Sequence, residues 1–232
     1  TGTLTLIQAN TTTGCVDSII QKITIHSLPR PDILSGDTVA CVNNLIVYSS
    51  NASSLEDVKW DVKNGTKMTS DTEKSIEILW GAEGVGEITL KLTNITTNCV
   101  DSIRKKITIN PLPEAEILSG ETEVCEDDTV IYVSNARSDE SVKWLLDNGK
   151  IASQNGQKDI HTVWPAAGQG YITLILTNIS TCCSDTVTLP VIIHHSPNAK
   201  IYGKKTVTEG DVEAYYTDPG DSYEWEVEGG TG

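Results

Sequence analysis

At 232 residues the chain can hold one large domain or two ordinary ones, and 32 acidic against 17 basic side chains leave it at net −15. A polyanion repels nucleic acid and anionic lipid, and apart from Arg104–Lys106 and the Lys204–Lys205 pair its Lys and Arg lie singly along the sequence, with no longer phosphate-binding run. No apolar stretch approaches the ~18 residues of a membrane helix, so neither nucleic-acid binding nor helical membrane insertion is expected of this segment.

An internal repeat sets the organisation. Residues 2–41 read GTLTLIQANTTTGCVDSIIQKITIHSLPRPDILSGDTVAC, and residues 86–125 read GEITLKLTNITTNCVDSIRKKITINPLPEAEILSGETEVC. The second string is the first displaced by 84 residues without a gap, and Trp60/Trp144, Trp80/Trp164 and Asn94/Asn178 continue the register. The expected domains are residues 1–27 as the C-terminal strands of a preceding repeat, 28–111 and 112–195 as two full repeats, and 196–232 as the N-terminal strands of a following one. The chain reads as an excerpt of a longer repetitive protein.

Within a repeat, short alternating apolar runs separated by Gly, Asn, Asp and Ser predict an all-β, antiparallel Ig-like sandwich. Strands are predicted at 31–34, 45–49, 58–62, 75–80, 86–93 and 101–109, and again 84 residues later. Period-two alternation places Val58, Trp60 and Val62 on one inward face, Ile76, Ile78 and Trp80 on a second, and Ile88, Leu90 and Leu92 on a third. Val142, Trp144 and Leu146 repeat the first set, and Val187, Leu189, Val191 and Ile193 define the last strand of the second repeat. The tryptophans are read as core, although Trp60 or Trp144 could instead stack on a sugar. The joints SLP (27–29), PLP (111–113) and HSP (195–197) each contain a proline, which blocks continuation of a strand. Joints this short and stiff predict repeats stacked end to end as a rod.

Six cysteines are present, with no CxxC or Cys/His grouping that would hold zinc. They read as a disulfide framework and hence an oxidising, extracytoplasmic compartment. Periodicity alone permits Cys41–Cys99 and Cys125–Cys183 within repeats. In an Ig-like sandwich those positions lie at opposite poles, about 20 Å apart, which favours an inter-repeat staple joining Cys41 to Cys183. Cys125 would then pair with a following repeat, and Cys15 and Cys99 with preceding ones. Thr208 takes the cysteine position in the third repeat, and Cys182 has no counterpart.

The strand openings at 39–41 (VAC) and 124–135 (VCEDDTVIYVSN), the VKW of 58–60 and 142–144, the run ILWGAEGVGEITLKLTN and the NCVDSI turn resemble the PKD-like, Ig-like repeats of giant Bacteroidota surface proteins. The type case of that family is the gliding-motility adhesin exported by type IX secretion. The resemblance spans essentially the whole chain. The acidic, glycine-rich motif that follows the tryptophan in PKD domains is missing here, where 61–65 read DVKNG and 145–149 read LLDNG, so its ligand roles are not carried over. Against that family's background, the Asp-Ser/Thr-aliphatic triplets resemble O-glycan acceptors, which implies Ser18, Ser102, Thr186, Thr38 and Thr129 as glycosylation candidates. A polar turn leading into a strand explains the same triplets equally well. Asn-x-Ser/Thr sites occur at Asn10, Asn51, Asn64, Asn94 and Asn178.

No catalytic, cofactor-binding or metal-ligating set is expected. His26, His161, His194 and His195 recur with no fixed nucleophile or carboxylate, and the glycines of 81–86 read as a turn. Calcium is the one ion to weigh, at Glu126, Asp127 and Asp128 and at Asp211, Asp218 and Asp221. The first repeat has Val42, Asn43 and Asn44 at the corresponding place, so a solvated surface is the better reading. Tyr171, Tyr215 and Tyr216 are the candidate exposed aromatics for a carbohydrate.

The expected function is therefore a non-catalytic stalk or filament segment of an extracellular cell-surface adhesin. Its expected partners are neighbouring repeats of the same chain, with other surface proteins or polysaccharide as further candidates. The alternative is a spacer in a secreted polysaccharide-degrading enzyme.

Overall fold

The computed structural model describes residues 1–220 and 222–229, and among these all regular structure is β-strand. In chain order the strands are β1 (Gly2–Ala9), β2 (Val16–Ile23), β3 (Val39–Cys41), β4 (Leu45–Ser49), β5 (Glu56–Lys63) and β6 (Gly65–Lys67). Next come β7 (Ser75–Trp80), β8 (Gly84–Asn94), β9 (Val100–Asn110), β10 (Ile117–Ser119), β11 (Glu123–Cys125) and β12 (Thr129–Ser134). The last are β13 (Glu140–Asp147), β14 (Lys150–Ile151), β15 (Asp159–Val163), β16 (Gly168–Asn178) and β17 (Ser184–His194). They divide between two compact units, Thr1–Pro113 with Asn178–Cys183, and Glu114–Thr177 with Ser184–Gly232.

In the first unit, β1 and β2 form a hairpin, and a sandwich follows with sheets ordered β3-β9-β8-β5 and β4-β7-β6. In the second, the sheets are β11-β17-β16-β13 and β10-β12-β15-β14. At β3–β9 and β11–β17 a three-residue edge strand runs parallel to the last long strand, whereas β1–β2, β5–β8, β8–β9 and β16–β17 pair antiparallel. These edge strands and the short β6 and β14 are too brief to show an alternation of their own, and only the sheet reveals them. The predicted strand at 31–34 is a correction: in the first repeat it is reduced to a single bridge, Ile33 to Ser50. Asn51 holds that segment down, donating its side-chain amide to the Arg30 carbonyl (2.8 Å) and accepting the Asp32 N–H (2.9 Å). Asn135 holds the Glu114 carbonyl and the Glu116 N–H in the same way.

Each core forms where the inward residues of the two sheets meet. Trp60, Ile76, Ile78, Trp80, Ile88, Leu90 and Leu92 are fully buried, as are Trp144, Trp164, Ile172, Leu174 and Leu176 in the second sandwich. Burying an indole costs free energy unless its N–H is satisfied. Trp60 meets this by donating to the Glu73 carbonyl (2.9 Å), and Trp144 by donating to Gln157 (3.1 Å).

A second contact recurs that alternation does not announce. The Tyr48 ring lies on Gly36, and its hydroxyl donates to the Asp37 carbonyl at 2.9 Å. Trp80 meets the same ring edge-on at 6.1 Å and donates to its hydroxyl. Burial, partly offset by the bond from Trp80, pushes the Tyr48 phenol up to about 12. Tyr132 repeats the glycine contact, the carbonyl bond and the edge-on indole with Gly120, Glu121 and Trp164, but the buried Trp164 N–H has no hydrogen-bond partner among the described residues. Tyr215 repeats the glycine contact and the carbonyl bond with Gly203 and Lys204.

Gly36 has φ +97°, and a Cβ there would sit 2.1 Å from Tyr48 Cδ1. Gly36→Ala is therefore expected to cost about 2–4 kcal/mol in denaturant unfolding, combining backbone strain and overpacking. Gly84 (φ +124°) has open space around it, so Gly84→Ala should lose only the backbone part, about 1–2 kcal/mol. Equal losses at the two sites would contradict the proposed role of the tyrosine contact.

Candidate functional site

The residues with chemistry lie at hairpin tips and edge strands. The β8–β9 turn is built on Asn94, whose side-chain oxygen accepts the N–H groups of Thr96 (3.0 Å) and Thr97 (2.9 Å) while its backbone N–H donates to the Cys99 carbonyl (2.9 Å). Asn10 does the same for β1–β2, and Asn178 for β16–β17. An Asn side chain that accepts from N–H groups two and three residues on stands in for a backbone turn, so each tip presents its cysteine in the same local frame. The residue before that cysteine has positive φ: Gly14 (72°), Asn98 (56°) and Cys182 (58°). Cys182 thus fills a left-handed position that Gly and Asn adopt more easily.

At the other end of the sheet, Cys41 closes edge strand β3, in register with Asn110 of β9, and Cys125 closes β11 opposite His194. A disulfide joins Cys41 to Cys183, with Cα atoms 5.6 Å apart and a sequence separation of 142. Cys15, Cys99, Cys125 and Cys182 are free. The alternative pairings Cys41–Cys99 and Cys125–Cys183 are not formed, because Cys99 and Cys41 sit at opposite ends of β9.

The five glycan candidates, Ser18, Ser102, Thr186, Thr38 and Thr129, are all exposed. Ser18, Ser102 and Thr186 occupy one repeated position on the last strand, opposite Ile7, Lys91 and Ile175. Asp17 and Asp101 accept the N–H of the following serine at 2.8 Å, whereas Asp185 accepts the N–H of Ala115. Among the asparagine sites, Asn51 and Asn64 already donate the side-chain nitrogen that a glycan would occupy, to Arg30 and Ala82 respectively.

Three of the carboxylates weighed for calcium, Glu126, Asp128 and Asp211, accept backbone N–H groups. Glu126 accepts the Ala167 N–H (2.8 Å) and faces His195 Nδ1 (3.2 Å), and these partners hold its carboxyl below the usual range. Asp128 caps the Cys125 N–H, Asp211 caps Thr208, and Asp218 accepts from the Tyr202 hydroxyl. Asp221 lies outside the described residues. His194 faces Glu123 at 3.7 Å, and the Ser196 hydroxyl donates to the Glu126 backbone carbonyl. Among the described residues no three His, Cys, Asp or Glu side chains group as a metal site. Tyr171, Tyr215 and Tyr216 are exposed, and the Tyr216 ring stacks on Tyr202 at 5.3 Å.

No family model matches the chain, and no curated protein matches it. Among solved structures it is similar to the fibronectin(III)-like modules of Clostridium thermocellum CbhA, at 12% identity over 72% of this chain and 95% of that one, with TM-score 0.36. It is also similar to the C-terminal fragment of intimin solved with the intimin-binding domain of its translocated receptor (12% identity, 77% and 67% covered, TM-score 0.37). A third is the N-terminal eight Ig domains of the Down syndrome cell adhesion molecule (13% identity, 84% and 28% covered, TM-score 0.37). The all-β sandwich architecture rests on the sheets and registers of this chain itself.

Replacing Cys182 by Gly is expected to raise stability by about 0.5–1 kcal/mol, since glycine removes the left-handed strain at a modest entropic cost. Chemical denaturation of the oxidised protein measures it. A loss of stability would show that the Cys182 side chain contributes a contact of its own.

Proposed function

We propose that this chain is a non-catalytic structural segment of an extracellular protein, in which consecutive Ig-like repeats form a stiff stalk. The observation that carries this reading is the Cys41–Cys183 disulfide, because it joins cysteines belonging to successive copies of the 84-residue sequence repeat. Closing a loop of 142 residues stabilises the folded state by about 5 kcal/mol in the chain-entropy account. Such a bond persists only in an oxidising compartment. Cys125 and Cys99, set in the same local frames as Cys41 and Cys183, would extend the pattern to further repeats.

On this reading the stalk carries an adhesive tip away from the cell surface, and no cofactor or catalytic residue is needed. Its closest partners are neighbouring repeats, with other surface proteins or polysaccharide as outer partners. Ser18, Ser102 and Thr186, at one repeated exposed position, are the sites where glycans would be spaced along the stalk.

Two measurements test the proposal. Small-angle scattering should give a radius of gyration clearly above the about 17 Å of a compact chain of this length, and antibody raised against the chain should label intact, unpermeabilised source cells. A compact particle would remove the stalk, and labelling only after permeabilisation would remove the extracellular assignment.

A further inference from the structure

Cations far apart in the sequence come together in the sheet. On β5, β8 and β9 the residues alternating with the core positions form the outer face of the first sandwich. Register places Lys59 beside Lys91 and Lys91 beside Ser102, Thr89 beside Arg104, and Glu87 between Lys63 and Lys106. Five of the chain's 17 Lys and Arg, namely Lys59, Lys63, Lys91, Arg104 and Lys106, are thereby exposed on one face. Three carboxylates share it: Asp57 and Asp61 on β5, and Glu87, which is bound to Lys63 at 2.9 Å. Lys59 reaches off the face to Asp71 at 2.7 Å. Lys91, Arg104 and Lys106 have no close ion-pair partner among the described residues, and they form a positive strip along β8 and β9. The fold does not require them, since the second repeat has Ile175, Thr188 and Pro190 at the same positions.

The matching surface is on the same chain. Between Lys106 and Arg137 the sequence contains no Lys or Arg, while Glu114, Glu116, Glu121, Glu123 and Asp127 are all exposed. Glu126 and Asp128 in this segment are committed to backbone N–H groups, but the others leave most of their carboxylate oxygens in solvent.

We propose that the cationic outer face of β8 and β9 docks the acidic 114–127 segment of a second copy of this chain. The two surfaces differ, so the contact is heterologous and can propagate from copy to copy into a lateral bundle. The net charge of −15 repels copies in other orientations, which gives the docking its specificity. This association does not depend on the stalk or on an extracellular location.

Sedimentation velocity of the full chain and two charge-reversed variants tests it. One variant carries Lys91→Glu, Arg104→Glu and Lys106→Glu; the other carries Glu114→Lys, Glu116→Lys and Glu121→Lys. All six positions are exposed, and thermal melts check that each variant folds. Wild type should associate with rising concentration at low ionic strength and dissociate at high salt. Each variant alone should remain monomeric, and an equimolar mixture of the two should recover association. Monomeric wild type under all these conditions, or association of the first variant alone, overturns the proposal. Binding of polygalacturonate to a wild type that does not self-associate would also overturn it, assigning the face to an acidic polysaccharide.

Discussion

Strand β9 runs eleven residues from Val100 to Asn110, paired with β8 along nearly its whole length and with β3 at its far end. At about 3.3 Å per residue, the turn bearing Cys99 and the edge bearing Cys41 are held roughly 35 Å apart. A disulfide needs Cα atoms within about 7 Å. No rotamer change can close that gap, so a cysteine at the edge and a cysteine at the tip of one repeat are kept from each other by the sheet itself. β17, also eleven residues long, separates Cys125 from Cys183 by the same means. The length of one hairpin therefore decides which cysteines can meet, and through them the functional reading of the chain.

That hairpin in turn depends on the opposite sheet. Ile88, Leu90, Leu92 and Ile107 stay buried because Trp80 and Tyr48 from the opposite sheet fill the space across from them, with Trp60 beside Leu90 in their own sheet. The tyrosine is the pivot: one face rests on a glycine backbone, its edge meets an indole, and its hydroxyl ties down the segment before β3. The edge strand with Cys41 is thus positioned from two directions, by β9 and by the segment that Tyr48 anchors.

Much of this was legible in the sequence because the controlling features are periodic. The 84-residue repeat, the two-residue alternation of Val58–Trp60–Val62 and Ile88–Leu90–Leu92, and the polar breaks between runs each map directly onto a strand or a turn. The short strands were not legible, since β3, β6, β11 and β14 have three residues or fewer and owe their existence to a neighbouring long strand. The predicted 31–34 strand failed for a related reason: the backbone there is held by the Asn51 side chain, leaving one bridge where a ladder was expected. Gly36 and Tyr48 carried a signal in their recurrence at Gly120 and Tyr132, but an alternation-based reading gives no weight to a glycine twelve residues before a tyrosine. The cationic face was hidden because Lys59, Lys91 and Arg104 become neighbours only through strand register. Cys182 reads as an unmatched cysteine in sequence and as a left-handed turn residue in structure.

The central claim is that the sheet forbids pairing within a repeat and directs Cys41 to Cys183. Peptide mapping of the native protein, with thiols blocked before digestion and no reductant present, tests it most directly. The account predicts a linked peptide pair containing Cys41 and Cys183. Recovery of Cys41 linked to Cys99, or of Cys125 linked to Cys183, would contradict it.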